Sequence, residues 1–89
     1  MKYVYILLLG NGQLYTGSTK NLKRRIKEHQ NKKVRFTSKR QPVKLIHYEA
    51  YFLDSDAERR ERFLKTTEGK HLLRLQLRDV LKQLKLKTL

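Results

Sequence analysis

The chain contains no cysteine, so disulfide frameworks, thiolate zinc sites and cysteine nucleophiles are excluded from the outset. Long hydrophobic runs are missing as well. The apolar stretch near the start, Tyr3 to Leu9, is too short to cross a bilayer and lacks the small-residue cleavage site of a signal peptide, so a soluble cytoplasmic protein without membrane spans is expected. Adhesion to an anionic membrane surface stays open in principle, because a basic amphipathic helix binds one. Acidic residues are scarce: 8 Asp and Glu face 22 Lys and Arg, for a formal net charge of +14. So much like charge repels itself in a compact state, and a polyanionic partner relieves the repulsion, with nucleic acid the leading candidate. At 89 residues a second core would leave each half too short, so residues 1–89 read as one domain. The 38% hydrophobic content fills one modest core but not a deep cavity around a large cofactor.

Lys2 to Leu9 reads as a strand rich in Tyr, Val, Ile and Leu, and apolar residues on both faces give it a central position. Gly10-Asn11-Gly12 turns the chain, and Gln13 to Gly17 returns as the second strand of a hairpin. Two registers are open. A type I′ loop at Asn11-Gly12 opposes Leu8 to Tyr15 and puts Tyr5 and Tyr15 on opposite faces. A three-residue loop with a left-handed Gly12 pairs Leu7 with Tyr15 and puts both tyrosines on one face. Ser18, Thr19 and Asn21 are candidate N-caps for a helix reaching about Lys32, with Leu22, Ile26 and His29 as its inward stripe and Arg25 beside it. Lys32 to Lys44 reads as a basic loop with the only proline, Pro42.

Val43 to Phe52 alternates as a third strand, Val43, Leu45, His47, Glu49 and Tyr51 against Lys44, Ile46, Tyr48, Ala50 and Phe52. Ser55 and Glu58 form a capping-box pattern that opens a helix through about Thr66 with the stripe Ala57, Glu61 and Leu64, and Gly69 stops it. A last basic amphipathic helix within residues 70–87, roughly His71 to Leu86, carries Leu73, Leu77, Val80 and Leu84 on one stripe. The expected fold class is therefore α+β, a small three-stranded antiparallel sheet flanked by helices in the order β-β-α-β-α-α.

Five side chains invite a chemical reading, and each has an ordinary one beside it. A tyrosine on a half-buried strand, such as Tyr5 or Tyr15, usually packs its ring and leaves its hydroxyl in water. Arg25 is one of 22 cations, and a histidine such as His29 at the edge of a helix stripe is most often a satisfied core histidine. Glu61 is more telling, because it falls between Ala57 and Leu64 on the inward face, where an uncompensated carboxylate is expensive. Its ordinary explanation is a helix-surface pair with Lys65, worth about 0.3 kcal/mol.

Taken together, Tyr3-Val4-Tyr5, Tyr15-Thr16-Gly17, Asn21-Leu22, Arg25 to His29 and Ala57 to Glu61 resemble the GIY-YIG nuclease domain, in particular the small stand-alone members related to the excinuclease N-terminal domain. The resemblance covers about residues 3–65 and leaves out the last helix. It implies that Tyr5 and Tyr15 are the tyrosines of the two half-motifs, that Arg25 is the family's helix arginine, that His29 stands at a position of His or Tyr, and that Glu61 binds a divalent metal. The sequence departs from the family's pattern at Tyr3, where the name-giving glycine would be. It departs again at Ser18, where some relatives have a lysine, and after Glu61, where no asparagine follows.

What the resemblance implies is a Mg²⁺- or Mn²⁺-dependent endonuclease that nicks DNA, ahead of RNA, by structure rather than sequence, in repair or processing. Phosphodiester hydrolysis needs a deprotonated water, charge compensation and a proton for the leaving oxygen. In this scheme Tyr5 is the base, its phenol, ordinarily near 10, drawn downward by Arg25 and the metal. Arg25 binds a phosphate oxygen, Tyr15 and His29 position water or carry a proton, and Glu61 is the metal's sole protein ligand. The scheme needs both tyrosines on one face, which selects the three-residue turn. Lys32, Lys33, Arg35, Lys39 and Arg40 would follow the phosphate backbone, with Phe36 available to stack on a base. One centre per chain favours nicking unless the protein dimerises, and its state, a monomer or a weak dimer, is left open. Two other readings stand beside this one: a non-catalytic basic nucleic-acid-binding module on the same fold, and a basic adaptor whose last leucine stripe docks on another protein or a second copy.

Overall fold

The computed structural model describes residues 1–87. Strands β1 (Lys2–Leu8), β2 (Leu14–Thr19) and β3 (Lys44–Tyr51) form one antiparallel sheet in the order β2-β1-β3. Between β2 and β3 run helix α1 (Leu22–Gln30) and the one-turn helix α2 (Arg35–Ser38), and β3 is followed by α3 (Asp54–Leu64), α4 (Thr67–Gln76) and α5 (Arg78–Lys87). This is the expected α+β arrangement, with one helix added and the last one divided.

The central strand explains the layering. Val4 and Ile6 face a core built with Ala57 and Leu64 of α3 and Leu73 and Leu77 farther on. Tyr5 and Leu7 face the other way, into a core with Leu9 and Val43 that α1 covers with Leu22 and Ile26. A strand covered on both sides needs apolar residues at every position, which β1 has. The hairpin closes where the Leu9 amide donates to the Gln13 carbonyl at 2.9 Å, around the loop Gly10-Asn11-Gly12. Gly12 has φ +87°, open to glycine and strained for a side chain. Leu7 therefore opposes Tyr15, and Tyr5 and Tyr15 share the face under α1.

Several expected boundaries shift for identifiable reasons. The alternation of β3 is broken by a bulge: Leu45 opposes Leu7 while His47 opposes Ile6, which leaves Ile46 over. Val43 and Leu45 thus join the core under α1, while Ile46 and Tyr51 join the core on the α3 side. A period-two pattern carries no mark of one extra residue. Part of the Lys32–Lys44 segment is the helix α2, too short to show a period. The capping box at Ser55 is not used; α3 begins two residues earlier, with Leu53 in the cap position and Asp54 and Asp56 in its first turn, where the helix dipole favours acids.

Nor does Gly69 stop a helix. α3 ends at Leu64, and Gly69 lies in the first turn of α4, where its amide donates to the capping hydroxyl of Thr66 at 3.0 Å. The anticipated last helix is two, parted at the buried Leu77. Among the three cap candidates for α1, Asn21 accepts from the Arg24 amide at 3.1 Å. The helix ends at Gln30 and the chain reverses at Lys32, φ +62°.

Candidate active site

Tyr5 is almost wholly buried, and its hydroxyl lies where three elements meet. Across the hairpin it opposes Gly17, and a Cβ at that position would collide with the phenol oxygen, so the glycine makes the space the hydroxyl occupies. From α1, which presents Arg25 and His29 four residues apart on one side, Arg25 Nε–H donates to the phenol oxygen at 3.4 Å and His29 Nε2 approaches it at 2.9 Å. His29 Nδ1 lies 2.8 Å from Thr37 Oγ1, and the Thr37 hydroxyl donates to the Val34 carbonyl at 3.3 Å.

One arrangement of the protons satisfies all of these contacts at once. With its own proton committed to Val34, Thr37 accepts from His29 Nδ1–H, which leaves Nε2 bare to accept from the Tyr5 hydroxyl. The relay therefore points from Arg25 through Tyr5 and His29 to Thr37. Gln41 ties its far end together, its amide donating to the His29 carbonyl at 2.8 Å and the Thr37 carbonyl at 3.1 Å. Burial, assisted by the Arg25 charge, lowers His29 to about 4, so the imidazole is neutral near pH 7. The same burial raises Tyr5 above its ordinary value, and the Arg25 hydrogen bond opposes this without reversing it. The sequence-based expectation of a lowered phenol is corrected here: desolvation outweighs one guanidinium, and in this state the proton stays on Tyr5.

Tyr15 packs its ring 6.4 Å from that of Tyr5 and 5.1 Å from His29, and 5.7 Å from Phe36 on α2. Its hydroxyl has no partner among the described residues. His29 is fully buried against both tyrosine rings.

Glu61 comes from the other face of the sheet. Ser18, opposite Val4, points toward α3, and its hydroxyl donates to Glu61 Oε1 at 2.6 Å, while Lys65 Nζ lies 3.0 Å from Oε2. The ordinary helix-surface pair is thus present, together with a tether to the hairpin. Burial raises the carboxyl of Glu61, but the hydrogen bonds from Ser18 and Lys65 outweigh it and hold the group below its ordinary value, and its charge is felt at the Tyr5 phenol. Edge strand β2 therefore brings Tyr15, Gly17 and, through Ser18, Glu61 to one border of the sheet.

Among the described residues no three His, Cys, Asp or Glu side chains converge, so a polydentate transition-metal site is not built. One ionised, partly exposed carboxylate fits Mg²⁺, which keeps most of its water and needs few protein ligands, once the exposed Lys65 swings aside.

Of the five basic residues expected to meet phosphate, Lys32, Lys33, Arg35 and Lys39 are exposed, with side chains that have no partner among the described residues. Arg40 is engaged: it donates to the Phe36 carbonyl at 2.6 Å and lies 4.0 Å over the Phe36 ring, which leaves one ring face covered. Three participants escaped the sequence reading. Ser18 carried a signal, since alternation along β2 puts it on the α3 face toward the inward stripe of Glu61. Gly17 carried one in facing Tyr5. Thr37 carried none, because only the path of α2 brings it to His29.

A hairpin with paired tyrosines on one face, a helix arginine and histidine above them and a carboxylate from a later helix define a GIY-YIG catalytic domain. The match to that family's model extends over residues 1–74, farther than the stretch that carried the resemblance and into α4. The chain belongs to the GIY-YIG family, which is associated with endonuclease activity on nucleic acid. It is similar to a UPF0213 protein of Clostridium perfringens, 41% identical over 76 residues that cover 84% of this chain and 82% of the relative. A UPF0213 protein of Staphylococcus epidermidis is 36% identical over 74 residues, covering 82% and 90%. The solution NMR structure of a UPF0213 protein from Bacillus halodurans matches with a TM-score of 0.54 and 36% identity over 82% of each chain.

Proposed function

We propose that this protein is a cytoplasmic, metal-dependent endonuclease that hydrolyses phosphodiester bonds, nicking DNA by its structure rather than its sequence in repair or processing. The observation that carries this reading is the buried Tyr5 hydroxyl held between the Arg25 guanidinium and the unprotonated nitrogen of His29. A solvated surface tyrosine needs neither partner.

The relay gives the chain's residues distinct work. The Tyr5 proton passes to His29 Nε2, Arg25 Nε–H stabilises the phenolate that forms transiently, and the phenolate takes a proton from the attacking water, while the leaving oxygen takes its proton from solvent. His29 becomes an imidazolium steadied by Thr37, and Phe36 and Tyr15 keep bulk water from its ring. Arg25 Nη1 donates to Glu28 Oε1 at 3.2 Å, so its Nη2 group meets a non-bridging phosphate oxygen, and the Tyr15 hydroxyl orients the water. Glu61 would hold a Mg²⁺ or Mn²⁺ ion, which would supply Lewis-acid compensation of the developing charge. Lys32, Lys33, Arg35 and Lys39 follow the backbone beyond the cut.

The test is a cleavage panel of single-stranded, duplex and branched DNA and RNA, with Mg²⁺, Mn²⁺ or EDTA, run with wild-type protein and Glu61→Gln. The expected result is metal-dependent nicking, strongest on one DNA structure, that falls by about a hundredfold or more in Glu61→Gln while affinity stays within about twofold. Cleavage that persists in the variant removes Glu61 from the mechanism. Tight, salt-sensitive binding without cleavage in any metal replaces the enzyme with a non-catalytic binding module.

A further inference from the structure

Helix α1 has a second flank. Leu22 and Ile26 point into the core and Arg25 and His29 to the Tyr5 side, which turns Lys23, Lys27 and Gln30 toward β3. There a groove of about 640 Å³ opens, a volume typical of small-ligand sites. Its floor is Ile26 and Leu45 and its wall is Tyr3 and Tyr48.

The tyrosines make this more than a surface dent. Tyr48 lies directly opposite Tyr5 in the sheet, yet α1 buries Tyr5 and leaves Tyr48 54% exposed. Tyr3 meets it edge to face, with centroids 6.1 Å apart at 65°, so the ring is held upright beside the groove. Lys23 and Lys27, one turn apart on the rim, have no partner among the described residues; the third lining cation, Lys20, pairs with Asp54 at 3.2 Å, and no acid itself lines the groove. Gln30 offers an unengaged amide. An apolar slot with an aromatic wall, one unengaged amide and two unpaired cations on the rim matches a flat, uncharged ring system that carries anions at its edge.

We propose that this groove holds one unpaired nucleobase of a bound strand, stacked on Tyr48 beside Tyr3, with Lys23 and Lys27 on the flanking phosphates. Bases within a duplex hide their faces, so the occupant is single-stranded, at a junction, or flipped out. The inference rests on nucleic acid as the partner and not on catalysis. A strand reaching both the groove and Tyr5 crosses α1, about 10 Å thick, which sets the unpaired base a few nucleotides from the phosphodiester to be cut.

The experiment titrates the protein in EDTA, where metal-dependent cleavage is silent, into a single-stranded oligonucleotide carrying one 2-aminopurine and into its blunt duplex, following fluorescence and anisotropy. Wild type is expected to quench the single-stranded probe. Tyr48→Ala is expected to lose the quenching and about five- to hundredfold in single-strand affinity, with duplex affinity nearly unchanged, while Tyr48→Phe keeps both. Retained melting temperature identifies Tyr48→Ala as folded. Equal weakening on both probes reduces the groove to general basic surface, and unaltered single-strand binding gives it to another occupant such as an apolar peptide; either overturns the proposal. Failure of wild type to bind any oligonucleotide removes the nucleic-acid reading as well, whereas failure of the groove alone leaves the cleavage panel untouched.

Discussion

His29 shows how one side chain of the proposed relay also ties stability to pH. Its ring is fully enclosed, with both nitrogens bonded, and is neutral down to about pH 4. In the unfolded chain the imidazole takes a proton below its ordinary 6.5, so between 6.5 and about 4 the unfolded state binds more protons than the folded one and stability falls with falling pH. The loss across that window is about 3 kcal/mol. Burial raises Glu49, but its bonds with Arg60, Tyr51 and His47 outweigh this and lower it to about 2, so it adds its own loss only below 4.5 and the two windows overlap only between 4.5 and about 4. Urea unfolding from pH 7 to 3 is expected to show both segments in wild type, and His29→Gln, less stable at pH 7, is expected to be flat in the upper one. An unchanged slope between pH 6.5 and 4 in the variant would assign the effect elsewhere.

At the scale of elements, the hairpin carries the design. Its three-residue loop sets the register, the register puts Tyr5, Tyr15 and Gly17 on one face, and Gly17 leaves room for the phenol. Gly17→Ala is expected to push the Tyr5 hydroxyl off Arg25 and His29, lowering stability by about 1–3 kcal/mol and reducing cleavage together with it. Denaturant midpoints and nicking rates measure the two, and a variant with wild-type stability and rate contradicts the packing described.

Much of this was legible in advance. The tyrosines, the stripe of α1 and the inward glutamate are repeating patterns, and their periods survive in the structure. The bulge at Ile46, the single turn α2 and the division at Leu77 were not legible, because each is a departure from a period rather than an instance of one. The partner of His29 at Thr37 was lost with α2.

The whole molecule adds charge to this scaffold. A net charge of +14 on 89 residues makes binding depend on released counterions. Contact with four to six phosphates predicts a slope of about −4 to −5 for log affinity against log salt on duplex DNA. Lys33→Ala and Lys39→Ala are each expected to reduce it by about one, uniformly across sequences. Unchanged slopes would move the phosphate track away from α2. No helix of the described residues is long and apolar enough to cross a membrane.

The most direct measurement is single-turnover cleavage of the preferred substrate at saturating protein by wild type and Tyr5→Phe, with affinity determined in the same samples. Removing one oxygen keeps the ring and its packing, so affinity and fold should hold while the cleavage rate falls about 10²- to 10⁴-fold, the span of a lost general base. A Tyr5→Phe protein that cuts within a few-fold of wild type would contradict the account, because the proton would then leave the water by a route that bypasses Tyr5 and His29.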